Sequence, residues 1–86
     1  MEITKKVFEN NQMEINLIYS HQEVVDNLIS DKLEVVYLLK GRAKIIFYDG
    51  EVIELRKGAF LEIEPNRLHK VINTSKKGLW LTIYYK

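Results

Sequence analysis

The sequence contains no cysteine, one proline and four glycines in 86 residues. Without cysteine the chain has no disulfide and no thiolate, which excludes a cysteine-ligated zinc site and a cysteine nucleophile. A chain of this length is expected to form one domain, residues 1–86, with a marginal core, because it buries only roughly 60–65% of its unfolded surface. Its stability must come from that core or from a partner subunit.

An excess of one charge and a long apolar run are also missing. Thirteen basic residues face twelve acidic ones, for a net charge of +1, whereas a nucleic-acid binder shows a basic excess. No apolar run approaches the roughly 20 residues of a membrane span, and none follows Lys5-Lys6 as it would in a secretory signal. We therefore expect a cytoplasmic protein that binds neither nucleic acid nor membranes.

The chain does contain short runs of β-branched and aromatic residues separated by turns. Asp49-Gly50 lies between two such runs and predicts a hairpin, and Pro65-Asn66 predicts a turn with a left-handed residue. About six or seven short strands of this kind predict an all-β antiparallel sandwich or barrel. The predicted strands are Met13–Ser20, Leu33–Leu39, Ala43–Tyr48, Glu51–Leu55, Ala59–Ile63, Leu68–Ile72 and Leu79–Tyr85.

The first third of the chain is less regular. Thr4–Asn10 is compatible with a short helix capped by Thr4, so residues 1–12 are expected to form a short N-terminal arm or helix. Gln22–Ser30 has apolar residues at helical spacing, but the strands that surround it favour a strand here too.

Two spacings in the middle of the chain resemble the motifs of the cupin family. Glu34 and Gly41 fit the end of the first motif, G-x5-H-x-H-x3/4-E-x6-G. Gly58, His69 and Asn73 fit the second motif, G-x5-P-x-G-x2-H-x3-N, in which Glu64 replaces the usual proline and Asn66 the usual glycine. The resemblance covers residues 33–73 well. It implies a cupin-type antiparallel β-barrel, also described as a double-sheet jelly roll.

The same resemblance places Glu34 and His69 at two of the four positions that usually hold a metal in cupins. The two histidines of the H-x-H pair are missing, since the corresponding positions hold Leu28 and Ser30 or Asn27 and Ile29. His21, outside the motif, could supply a third ligand and complete a two-histidine, one-carboxylate site of the type that holds non-haem iron. The cofactor is therefore open: none, or a divalent metal such as iron, manganese, nickel or zinc.

Strand alternation predicts which side chains point into the barrel. The inward set is apolar with one carboxylate and one imidazole, which suits a small organic ligand. It comprises Glu34, Val36, Leu38, Phe47, His69 and Val71. The outward set is expected to form an apolar patch that a second subunit covers. It comprises Val35, Tyr37 and Leu39, with Ile46 and Tyr48 on the next strand.

These patterns support two functions of different classes. The first is a small-molecule-binding module with an unknown ligand, working as a homodimer. The alternative is a metal-assisted or acid–base cupin enzyme of the isomerase, decarboxylase or oxygenase type, using Glu34 and His69. In a third possibility Phe47 and Leu38 fill the barrel, and the domain serves to hold another protein.

Overall fold

Two antiparallel β-sheets pack face to face in the computed structural model, which describes residues 2–86. The five-stranded sheet has the order β1-β2-β9-β4-β7 and the four-stranded sheet the order β3-β8-β5-β6. Their strands are β1 (Ile3–Glu9), β2 (Met13–His21), β3 (Val24–Leu28), β4 (Leu33–Lys40), β5 (Arg42–Phe47), β6 (Val52–Arg56), β7 (Phe60–Ile63), β8 (His69–Asn73) and β9 (Lys77–Tyr85). Among the described residues no helix is long and apolar enough to cross a membrane.

The all-β double-sheet fold is confirmed, and each predicted strand has its counterpart. The strand favoured for Gln22–Ser30 is present as β3. Thr4–Asn10 does not form the expected helix, because β1 pairs with β2 from Ile3 to Glu9 at the edge of the larger sheet. Pairing with β2 supplies partners to the backbone groups along one side of this edge strand, which outweighs the weak helical signal of the sequence.

The core lies between the two inner faces and follows the predicted alternation. Along β4 and β5 buried side chains alternate with exposed or half-buried ones, and Lys44 points to solvent. Leu38, Ile45 and Phe47 are each 1% exposed. The full set of buried apolar residues is Val36, Leu38, Ala43, Ile45, Phe47, Leu55, Ile63 and Trp80.

The predicted single outward patch is wrong in its composition. Strand β4 belongs to the five-stranded sheet and β5 to the four-stranded sheet, so the chain changes sheets at Gly41. Val35 and Tyr37 therefore lie on one outer face of the sandwich, and Ile46 and Tyr48 lie on the opposite side. Because β4 and β5 are consecutive in the sequence, the prediction treated them as adjacent strands of one sheet. The turn at Gly41 instead connects the two sheets.

The outer face of the five-stranded sheet is nevertheless broadly apolar. Two rows of paired residues cross its three central strands: Ile15–Ile83–Val35 and Leu17–Leu81–Tyr37. At one side Phe60 is 62% exposed, with its ring centroid 5.2 Å from that of Tyr37. We call this surface the outer apolar face.

The turn between β4 and β5 requires glycine for two separate reasons. Gly41 has a φ of +96°, a region that L-residues with a side chain rarely adopt. A Cβ at this position would lie 2.5 Å from Ser75 Oγ and 2.8 Å from the Lys77 carbonyl oxygen. Asn66 has the left-handed backbone conformation that the sequence predicts, with a φ of 64°.

Gly41→Ala is expected to destabilise the protein more than Gly50→Ala, measured as the difference in free energy of unfolding in urea. Gly50 has a φ of +106°, but a Cβ added there would have no heavy atom within 4 Å, so its substitution costs only the left-handed strain, about 1–2 kcal/mol. Gly41→Ala adds a collision with a sheet carbonyl, worth about 1–3 kcal/mol more. Equal losses in the two variants would show that the turn relaxes around the new methyl group.

Candidate functional site

A cavity of about 110 Å³ lies between the two sheets. An engineered protein cavity of about 150 Å³ holds one benzene molecule, so this space fits a few non-hydrogen atoms. Apolar side chains supply most of its wall and polar side chains the remainder. The cavity is lined by Glu2, Ile18, Leu28, Ile29, Ser30, Glu34, Val36, Ile45, Ile63, His69, Val71, Trp80, Thr82 and Tyr84.

One wall is set by the register of β9. Tyr84 pairs with Glu34 of β4 on one side and with Glu14 of β2 on the other. Burial, then the negative charge of Glu34 and a hydrogen bond to it, raise the pKa of the Tyr84 phenol well above its usual value. The phenol therefore keeps its proton, and its O–H donates a hydrogen bond to the Glu34 carboxylate.

A second group on this wall is Thr82, which points to the same side of β9 as Tyr84. Its side chain is buried, with 3% of the residue exposed. The Thr82 hydroxyl lies close to the Tyr84 phenol. Its interaction with that phenol partly opposes the rise in the pKa of Tyr84. Its oxygen nevertheless has no partner of full hydrogen-bonding geometry among residues 2–86. A buried hydroxyl without a partner is costly, so this oxygen is available to a bound molecule.

His69 projects from the opposite wall, on β8, and is 4% exposed. Its Nδ1 lies 2.8 Å from the backbone carbonyl oxygen of Arg67. A carbonyl oxygen only accepts hydrogen bonds, so Nδ1 carries the proton. In the neutral ring the lone pair is then on Nε2.

Arg67 holds in place the loop whose carbonyl orients the imidazole. Its guanidinium carbon lies 3.5 Å from the centroid of the Phe47 ring. The same guanidinium makes ion pairs with Asp49 at 2.9 Å and Glu51 at 2.6 Å. These hydrogen bonds raise the pKa of Arg67, which stays charged. Stacking and the two carboxylates together position the His69 ring through the backbone.

The asparagine of the second motif, Asn73, stabilises the fold through two side-chain hydrogen bonds. Asn73 Oδ1 accepts a hydrogen bond of 3.1 Å from Trp80 Nε1, and Asn73 Nδ2 donates one of 3.3 Å to the Glu23 carbonyl. Trp80 is 4% exposed, belongs to the core and also lines the cavity. The amide thus joins the two sheets through one buried contact.

The side chains present do not fit the four-ligand metal site of the family motif. Glu34 and His69 line one cavity, but no group of three or more His, Cys, Asp or Glu side chains within residues 2–86 could hold a metal ion. His21 lies at the end of β2 opposite Lys77, is exposed, and does not line the cavity. Firm metal sites generally use about three protein ligands. Glu2 also borders the cavity, but Glu2, Glu34 and His69 do not form a group that could hold a metal ion.

Four of the six residues predicted to line a pocket do so: Glu34, Val36, His69 and Val71. Leu38 and Phe47 are instead part of the packed core and do not border the cavity. Thr82 and Tyr84 were not predicted from the sequence. Their signal was the alternation along β9, because both share the inward parity of Trp80.

Comparisons with known proteins agree with this geometry. Residues 29–84 match the family described as the cupin domain. A cupin superfamily protein from Desulfitobacterium hafniense superposes with a TM-score of 0.88 at 19% identity, covering 99% of this chain and 77% of the other. A RmlC-like cupin with a double-stranded β-helix fold from Methanocaldococcus jannaschii gives 0.85 at 15% identity, covering 99% and 80%.

The DMSP lyase DddQ from Ruegeria pomeroyi gives a TM-score of 0.87 at 11% identity, covering 99% of this chain and 47% of the lyase. At such identities the solved structures establish the fold alone. No curated protein matches the sequence significantly. The family match spans well over half of the residues and includes Glu34, Gly41, Gly58, His69 and Asn73, so the chain belongs to the cupin family.

Proposed function

We propose that this cupin is a small-molecule-binding module that works as a homodimer and needs no resident metal. The observation that carries the proposal is the cavity of about 110 Å³, with apolar walls and a few converging polar groups. Binding sites for small molecules have this character: apolar surface supplies affinity and a few polar atoms fix orientation. The unpartnered Thr82 oxygen supports an occupant that supplies the missing hydrogen bond.

Binding in the cavity is expected to change the fluorescence of Trp80, the only tryptophan of the chain. A panel of compounds with about three to six non-hydrogen atoms would be titrated, since that size suits the space. Val71→Phe places four additional carbons against the cavity and is expected to abolish the response. Val52→Phe adds the same atoms on the outside of the four-stranded sheet, where Val52 is 55% exposed, and is expected to leave the response intact.

A panel without any responding compound would contradict the proposal. A response that survives in Val71→Phe would place the binding site elsewhere on the protein.

After incubation with iron, manganese, nickel or zinc and extensive dialysis, the protein is expected to retain far less than one metal ion per chain. The reason is that Glu34 and His69 supply only two ligands. Elemental analysis of the wild type, His69→Ala and His21→Ala checks this, and the three proteins should agree. Near-stoichiometric metal that disappears in His69→Ala would instead favour the metal-assisted enzyme.

One observation favours the acid–base enzyme as a second candidate. Glu34 and His69 line the same cavity, and the Nε2 lone pair of the neutral imidazole is free of the Arg67 carbonyl. A carboxylate and an imidazole in one cavity are groups that isomerases and decarboxylases use to move protons. An enzyme of this kind exchanges carbon-bound protons of its ligand with solvent deuterium, whereas a binding module does not.

The outer apolar face supports the homodimer. It crosses the three central strands of the five-stranded sheet with aliphatic and aromatic side chains, and monomers seldom expose so extended an apolar surface. A second copy is a suitable occupant, because two identical, largely uncharged sheet faces are self-complementary in an isologous contact. Cover by a partner also offsets the small core of an 86-residue chain.

Leu81→Glu is expected to convert the dimer to a monomer, because it introduces a charge between Leu17 and Tyr37 at the centre of the outer apolar face. Val52→Glu introduces the same charge on the other side of the sandwich and is expected to remain dimeric. Light scattering at micromolar concentration gives the mass of each variant. A monomeric wild type would overturn the homodimer while leaving the cavity proposal intact.

A further inference from the structure

The charges around the cavity indicate what kind of molecule it holds. We infer that it selects small organic cations, such as primary alkylammonium ions, over neutral and anionic compounds of the same size. The inference rests on the proposed binding function and adds a ligand class to it. Four observations carry it: the acidic lining, the placement of the nearest lysines, the surplus of hydrogen-bond acceptors and the size of the space.

The lining is acidic. Glu2 and Glu34 border the cavity, and among the described residues that line it there is no lysine or arginine. An anion placed here would face the carboxylates of Glu2 and Glu34 without a lysine or arginine in the lining to compensate its charge, which is unfavourable.

The nearest lysines belong to a separate cleft. Lys32 and Lys86 line an outer cleft that shares Ser30 and Tyr84 with the cavity. Lys86 is paired with Glu9, and the amine of Lys32 lies 3.8 Å from an Asp31 carboxylate oxygen. These lysines do not line the cavity, and the carboxylates beside them offset their charge.

Hydrogen-bond acceptors outnumber donors in the lining. Thr82 Oγ1 is buried with no partner of full hydrogen-bonding geometry, and Nε2 of His69 is an acceptor in the tautomer whose Nδ1 donates to the Arg67 carbonyl. The phenol of Tyr84 already donates to Glu34, whose carboxylate has further lone pairs. An alkylammonium head group brings three N–H donors and no acceptor, so it matches this surplus, whereas a carboxylate brings only acceptors.

The size of the space limits the alkyl part. Scaling from benzene, with six carbons in about 150 Å³, gives roughly four to five non-hydrogen atoms for about 110 Å³. Val36, Ile45 and Val71 present aliphatic surface to such a chain. Burial of the alkyl part then offsets some of the cost of removing the ammonium group from water, and the Glu34 carboxylate compensates the charge.

An NMR titration of the isotopically labelled full chain tests the inference with three probes of matched length: propylammonium, 1-propanol and propionate, at constant ionic strength. The expected result is saturable shifts at Trp80, Thr82 and His69, with propylammonium binding about tenfold or more tightly than 1-propanol, since charge-assisted hydrogen bonds are roughly twice as strong as neutral ones. Propionate is expected to leave these resonances unchanged.

Glu34→Gln keeps the shape of the side chain and removes its charge, so it is expected to abolish the preference for propylammonium while 1-propanol still binds. Glu62→Gln is the matched control: it removes one negative charge from the same sheet, but Glu62 is exposed on the outer side of β7. That control is expected to keep the preference. Should Glu34→Gln fail to fold, Thr82→Val removes one acceptor at constant shape and is expected to weaken propylammonium binding several-fold.

The possible failures are distinguishable. If 1-propanol or propionate binds as tightly as propylammonium in the wild type, the cation inference is wrong and the proposed binding function stands. If Glu34→Gln retains the full preference, the inference is also wrong, because Glu34 is then not the selecting charge. If none of the three probes moves the cavity resonances, the cation inference is wrong, and the fluorescence titration with the wider panel decides the proposed binding function separately.

Discussion

The register of β9 between β2 and β4 is the constraint on which the interior depends. Strand β9 lies in the middle of the five-stranded sheet. The sheet is therefore complete only when β9 has paired with both β2 and β4. Its inward residues meet Glu14, Glu34 and Val36 in paired rows. A shift of one residue would turn Thr82 and Tyr84 outward and place aliphatic side chains against the carboxylates. The site is therefore set by a long-range pairing and not by any local motif.

The sandwich interior is not filled evenly. Leu38 and Phe47 are packed so completely that each is 1% exposed, and the Phe47 ring lies beside the cavity residue His69, with ring centroids 5.6 Å apart. Arg67 lies over the Phe47 ring and orients His69 through its own carbonyl. The packed side chains around Phe47 thus hold His69 in position at the wall of the cavity. The motif residues divide in the same way: Gly41 and Asn73 serve the fold, while Glu34 and His69 reach the cavity.

Alternation and turn chemistry were sufficient to predict most of the strands, the inward parity of Glu34 and His69, and the left-handed Asn66. They failed for β1, because its partner strand and not its own composition decides its conformation. They also failed for Ile46 and Tyr48, since alternation gives the face of a strand but not the sheet to which it belongs. Thr82 and Tyr84 were missed for a related reason. Alternation along β9 gives their face, but their place beside Glu34 follows from the pairing of Glu34 with Tyr84, fifty positions apart, which no local pattern encodes.

Because side chains alternate strictly along β9, substitutions in this strand act either on the interior or on the outer surface of the sheet. Trp80, Thr82 and Tyr84 face the interior, whereas Leu81 and Ile83 face outward in the adjacent positions. Substitutions at one parity alter the lining of the cavity and leave the outer surface as it was, and the reverse holds for the other parity. The lining of the cavity and the outer surface of the sheet can therefore change independently within a single nine-residue strand.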